Sequence, residues 1–142
     1  MRILISACLL GLPCRYDGGS VPCPAALRLT EQGHELVPVC PEQLGGLPTP
    51  RTPSERVGDR VPDRDGADHT AEYLRGAEQA KRVFELLRCD CAVLKARSPM
   101  CGKGQIYDGT FSGTLTEGSG VLAELLLKNG FPVLTEDEIG QL

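Results

Sequence analysis

Arg2-Ile3-Leu4-Ile5-Ser6-Ala7, running directly into Cys8, is the stretch whose reading decides the fold. It is short, rich in Ile and Leu, and apolar without clean alternation, which is the pattern of a strand covered on both faces. Three more runs share that character: Glu35–Val39 (ELVPV), Cys91–Ala96 (CAVLKA) and Phe131–Thr135 (FPVLT). Between them lie segments with helical spacing. Pro24–Gln32 opens on a first-turn proline and stops at Gly33. Asp68–Arg88 places Leu74, Ala77, Ala80, Phe84 and Leu87 on one side, with Lys81, Arg82 and Glu85 toward solvent. Thr116–Asn129 starts at a possible Thr cap and ends at Gly130, and a short helix over Glu136–Gln141 closes the chain.

The resulting order, β-α-β-α-β-α-β, predicts a parallel sheet with helices on both faces. The expected architecture is a Rossmann-like, three-layer α/β sandwich formed by one domain over residues 1–142, with a four-stranded, mainly parallel sheet in the order 2-1-3-4. Pro38 supports that order: proline cannot donate to a ladder, and the order leaves the second strand at an edge. A chain of this length can bury roughly 68–70% of its unfolded surface, so no disulfide framework is needed. With three Phe, three Tyr and no Trp, the core falls to Leu, Val, Ile and Ala.

The formal charge is −4 with no Lys/Arg run, which argues against a large nucleic acid as partner. The apolar start is too short for a signal peptide and is interrupted by Pro13 and Arg15-Tyr16-Asp17. No stretch reaches the length of a membrane span. The chain reads as cytoplasmic, without a membrane partner, and a monomer is consistent with it. Seven cysteines, an odd number in a reducing compartment, speak against disulfides and for metal binding or reactive thiols, with some of the seven serving as small buried hydrophobes.

Seventeen Gly and eleven Pro exceed the usual share of about 12% and gather in three long loops, Cys8–Pro22, Cys40–Ala67 and Arg97–Leu115. Each follows the carboxyl end of an expected strand, where open parallel sheets bind ligands. Cys8 ends the first strand, Cys40 ends the second, and Cys101 lies in the loop after the third. None belongs to a short CxxC pair of the kind a sequence-local zinc site uses. Three soft thiolates brought to one rim suit an iron–sulfur cluster with one iron left open. Cys14, in Leu12-Pro13-Cys14-Arg15-Tyr16-Asp17-Gly18, is open to two readings, a fourth ligand or a neighbour of the cluster. Cys23, Cys89 and Cys91 read as packing residues.

Glu42 stands two residues past Cys40, either as a proton carrier beside a cluster or as a helix-start carboxylate. The stretch Lys95-Ala96-Arg97-Ser98-Pro99-Met100-Cys101-Gly102-Lys103-Gly104 gathers three cations, a hydroxyl at Ser98, a thiol and glycines whose N–H groups can donate to sulfur or to an anion. Ser98 can hold a water or simply form a turn before proline. Arg51 can pair with Glu55 or face a substrate, and Tyr107-Asp108-Gly109-Thr110 reads first as a turn. His34 and His69 stand apart from the cysteine loops and give no triad.

Taken together, Ser6-Ala7-Cys8-Leu9-Leu10-Gly11 with Arg15-Tyr16-Asp17-Gly18, Cys40-Pro41-Glu42 through Gly45-Gly46 to Pro50-Arg51-Thr52-Pro53-Ser54-Glu55, and Lys95 through Ser98-Pro99 to Cys101-Gly102 resemble the motifs of the DUF523 family. Asp68, Thr70, Tyr73, Gly76 and Ala77 resemble its helix pattern, so the likeness runs nearly end to end. That family includes thiouracil desulfurases, which convert 2-thiouracil to uracil without net redox change. The resemblance implies a [4Fe-4S] cluster on Cys8, Cys40 and Cys101, a catalytic pair of Glu42 and Ser98, and a small thiolated nucleobase or related thio-compound as substrate. Met100 departs from the small residue common in the family and is expected to reshape the pocket. Two other readings remain: a non-catalytic iron–sulfur or zinc protein with a binding or sensing role, in which Cys14 completes the ligand set, and a metal-free thiol enzyme with one low-pKa cysteine.

Overall fold

The computed structural model describes residues 1–142. The chain runs β1 (Arg2–Ser6), a 3-10 turn (Ala7–Leu10), α1 (Pro24–Leu27), β2 (Glu35–Val39), α2 (Pro41–Leu44), α3 (Thr70–Leu86) and β3 (Cys91–Leu94). It continues through β4 (Gln105–Tyr107), β5 (Leu115–Glu117), α4 (Val121–Lys128), β6 (Val133–Thr135) and a final 3-10 helix (Glu136–Gln141). The main sheet has the order β2-β1-β3-β6 with every pairing parallel, so the expected 2-1-3-4 arrangement of its four strands is present.

The continuous apolar character of β1 and β3 has a direct cause. Side chains alternate across a strand, and both faces are covered. Leu4, Ala92 and Leu94 point into a core formed with Tyr73, Ala77, Ala80 and Phe84 of α3 and Leu122, Ala123 and Leu126 of α4. Ile3, Ile5, Cys91 and Val93 point the other way, against Leu9, Ala26, Leu29 and Ile139. Each fully buried Ile or Leu contributes about 1.5–3 kcal/mol relative to exposure. Pro38 lies on β2, an edge strand, opposite Ile5 of β1, and its missing N–H breaks no inner ladder.

Three expected elements differ. α1 ends at Leu27, not Gln32, because the Thr30 hydroxyl donates to the Leu27 carbonyl and the chain tightens into turns that reach Gly33 at φ +87°. The buried stripe of α3 is Tyr73, Gly76, Ala77, Ala80 and Phe84, while Leu74 is 54% exposed and Leu87 lies beyond the helix. Its small residues, not its leucines, permit close approach to neighbouring elements. The helix expected from Thr116 begins at Val121; Thr116 pairs with Ile106 in the β4–β5 antiparallel hairpin. Gly118 and Gly120 separate the two, and Gly120 passes so close to the Met100–Cys101 backbone that a Cβ there would collide with it.

Parallel pairing places the carboxyl ends of β1, β2 and β3 on one rim. Cys8, Cys40 and the Lys95–Cys101 segment leave the sheet there. No helix is long and apolar enough to cross a membrane.

Candidate active site

A cavity of about 440 Å³ opens at that rim, and Cys8, Cys14, Cys40, Cys101, Glu42 and Ser98 all line it. The three cysteines, the carboxylate and the hydroxyl expected from sequence thus share one space, and Cys14 joins them. All seven cysteines are free thiols.

Each side chain is fixed by local structure. Cys8 sits in the tight turn after β1, closed by Gly11 at φ +92° and by N–H donation from Gly11 to the Cys8 carbonyl at 3.2 Å. Val21 donates to the same carbonyl at 3.0 Å, folding the first loop back. Cys40 caps α2, with Pro41 in the first turn. The Cys14 thiol is within hydrogen-bond reach of Cys8 and Cys40, and the Cys40 thiol lies 3.6 Å from the Cys14 carbonyl. Ser98 forms the turn that presents Cys101: its Oγ accepts from the N–H of Met100 at 3.1 Å and of Cys101 at 3.0 Å. Turn formation and a place on the cavity wall, set against each other in the sequence reading, coexist in this residue.

Glu42 occupies the first turn of α2, beside the cavity. Its Oε1 accepts from the Tyr73 hydroxyl at 2.6 Å and from Arg51 Nε at 3.3 Å. Arg51 is therefore the partner of Glu42, not of Glu55. With its side chain only 6% exposed, it also donates to the carbonyls of Pro48 (3.2 Å) and Cys14 (3.0 Å), stitching the first cysteine loop to α2. Glu55 instead accepts from the N–H groups of Gly109 (2.9 Å) and Phe111 (3.0 Å), clamping the tip of the β4–β5 hairpin against the cavity. Tyr107 and Phe111 border it from that side, Phe111 at φ +55°.

The donor set fits a soft cationic group. Burial raises the Cys101 thiol to about 12. Hydrogen bonding with Cys14 and then burial raise Cys40 far above the ordinary thiol range. A thiolate at either position needs a bound cation to offset its desolvation.

Met100 does not behave as expected. It is fully buried in the α3–α4 core and absent from the cavity wall, because the Ser98 turn directs it inward. Cys89 and Cys91 are buried at the far end of the sheet and Cys23 is half-buried. His34 lies 3.1 Å from the amino terminus, and His69 lies 2.8 Å from Asp63; neither touches the cavity. A supporting layer escaped the sequence reading. Glu136 accepts from Lys95 Nζ at 2.9 Å and from the Ala96 N–H at 2.7 Å, and Glu138 accepts from Lys103 Nζ at 3.1 Å. These contacts fasten the Ser98–Cys101 loop to the last helix. The capping box of Thr135 and Glu138 was the available signal for it.

Comparison with known proteins places the chain in a family. The 2-thiouracil desulfurase family model matches residues 3–138. A protein of Bacillus subtilis (strain 168), YbbK, described as uncharacterized, is 37% identical over 150 residues, covering 99% of each chain. The solved structure of TudS, described as a [4Fe-4S]-dependent thiouracil desulfidase, superposes with a TM-score of 0.93 at 43% identity, covering 99% of this chain and 94% of that one. With a family match over nearly its whole length and the same fold as TudS, this chain belongs to the 2-thiouracil desulfurase family, an enzyme family that includes DUF523 proteins.

Proposed function

We propose that the protein is a [4Fe-4S]-dependent, non-redox desulfurase acting on a small thiocarbonyl compound such as 2-thiouracil, with Cys8, Cys40 and Cys101 as cluster ligands and Glu42 and Ser98 as the catalytic pair. The observation that carries this reading is the convergence of Cys8, Cys40, Cys101, Glu42 and Ser98, from three strand ends, on one cavity. The cavity, about 440 Å³, is large enough for a pyrimidine base. When bound, the cluster supplies an open iron that acts as a soft Lewis acid on the thiocarbonyl sulfur.

The chain's own residues do the rest. Ser98 accepts two backbone N–H groups, and its hydroxyl also lies within hydrogen-bond reach of the Cys101 thiol; with that thiol committed to the cluster, the hydroxyl hydrogen donates to the attacking water and orients it. Glu42 takes the proton of that water as its oxygen bonds to the ring carbon. The carbon–sulfur bond then breaks, and the proton held by Glu42 is available to the departing sulfur. Thiocarbonyl plus water gives carbonyl plus hydrogen sulfide, released as hydrosulfide, and no electron is gained or lost. Seven free thiols are consistent with a reducing, cytoplasmic setting.

Anaerobically reconstituted protein given 2-thiouracil is expected to form uracil and sulfide in equal amounts, with no added reductant. A fully loaded cluster that leaves 2-thiouracil and other small thiocarbonyls untouched would remove the proposal. One observation favours the rival: the Cys14 thiol lies within hydrogen-bond reach of Cys8 and Cys40, where a fourth ligand of a closed binding or sensing centre would sit. Under the desulfurase reading, Cys14→Ala retains the cluster; under the rival it does not.

A further inference from the structure

We propose that Tyr73 is a positioning residue for desulfuration: with Arg51 it occupies one carboxylate oxygen of Glu42, Oε1, and so fixes Oε2 as the oxygen that meets the reacting water. The inference rests on the role of Glu42 given above.

Both donors converge on the same oxygen, the Tyr73 hydroxyl at 2.6 Å and Arg51 Nε at 3.3 Å. Oε2 has no protein partner, yet no buried side-chain oxygen in the chain lacks one. Oε2 is therefore accessible, and the residue lines the cavity with its side chain 18% exposed. The terminal torsion of a glutamate is broad and two-fold, so a carboxylate without such donors exchanges its oxygens and swings. Two donors on one oxygen remove that freedom.

Tyr73 itself is 1% exposed and sits in the core between α3 and the sheet. Burying a phenol hydroxyl is costly unless it is hydrogen-bonded, and Phe would fill the same volume. The hydroxyl is directed out of the core to Glu42, with the Ser54 side chain in hydrogen-bond reach of the same phenol. The contact is possible because α2 and α3 cross at Gly45 and Gly76, where a Cβ on either would collide with a carbonyl of the other helix.

The test compares Tyr73→Phe, Glu42→Gln and the double variant, each with iron and sulfide content and a thermal melt measured alongside kinetics. Loss of one hydrogen bond to a charged group predicts a fall in kcat of roughly 10–100-fold for Tyr73→Phe. KM should stay within twofold of native and the cluster content should be unchanged. In the Glu42→Gln background the same change should cost nothing further, because Tyr73 acts only through Glu42; a merely structural role would multiply the losses. Arg51→Lys, which leaves the α3 core intact, probes the same oxygen from its other donor and should show the same non-additivity if Tyr73→Phe does not fold. Native kcat in Tyr73→Phe, or multiplying losses in either double variant, overturns the inference. Native activity in Glu42→Gln overturns the prior reading instead, so the two failures are distinguishable.

Discussion

Glu42→Gln lowers kcat for thiouracil desulfuration by about 10²–10⁴-fold, the range expected when a positioned general base is removed. The amide keeps the shape of the carboxylate, and its oxygen still accepts from the Tyr73 hydroxyl at the site where the native pair is 2.6 Å apart. It cannot take a proton. Substrate affinity and cluster content should be close to native, since Cys8, Cys40 and Cys101 are untouched. Stability should fall, by about 1–3 kcal/mol, because the nearly buried Arg51 guanidinium loses its counter-charge but keeps its carbonyl acceptors at Pro48 and Cys14. Initial rates with iron and sulfide analysis and a thermal melt check all three expectations. A kcat within twofold of native, with the cluster intact, rejects proton transfer by Glu42.

Gly76→Ala is the second large effect, and its sign is diagnostic. At an exposed position inside a helix, exchanging Gly for Ala stabilises by up to about 1 kcal/mol. Gly76 lies at the α2–α3 crossing, where an added Cβ would meet the Pro41 carbonyl, backbone against backbone, with no side chain able to yield. Overpacking of this kind costs about 1–3 kcal/mol, and the upper end applies here. In a chain of this size that is a fall in Tm of roughly 6–12 °C. The functional cost follows from what α2 carries. Moving it away from α3 displaces Cys40 at its cap and Glu42 in its first turn, and draws Glu42 away from Tyr73. Lower iron retention and a lower rate are expected together. An unchanged melt with native activity would show that the two helices do not need their glycine contact.

The sheet was legible in the sequence because β1 and β3 are covered on both faces, which turns each into an unbroken apolar run. Pro38 then marked the edge. Parallel topology did the rest for the site: once the strands were placed, their carboxyl ends had to bring Cys8, Cys40 and Cys101 to one rim. Local pattern failed where tertiary contact outweighed it. Thr116 has neighbours that suit a helix, but Gly118 and Gly120 interrupt it, and the close passage of Gly120 over Met100–Cys101 sets the true helix start. Leu74 has the right spacing for a core face and lies on the wrong one, because Gly76, Ala77 and Ala80 allow the closest approach. The pairing of Arg51 with Glu42 depends on the path of the loop between them, and no spacing rule encodes that path. Spacing within the chain gives no sign that Met100 turns inward or that Cys14 approaches Cys8 and Cys40; both follow from turns fixed by hydrogen bonds of Ser98 and Arg51.

The central claim, a cluster held by three strand-end cysteines, is tested most directly by measuring iron and acid-labile sulfide per chain after anaerobic reconstitution of the native protein and of Cys8→Ala. The account predicts about four irons and four sulfides per native chain and loss of that cluster in the variant. No iron in the native protein, or zinc bound equally well by both, would contradict it.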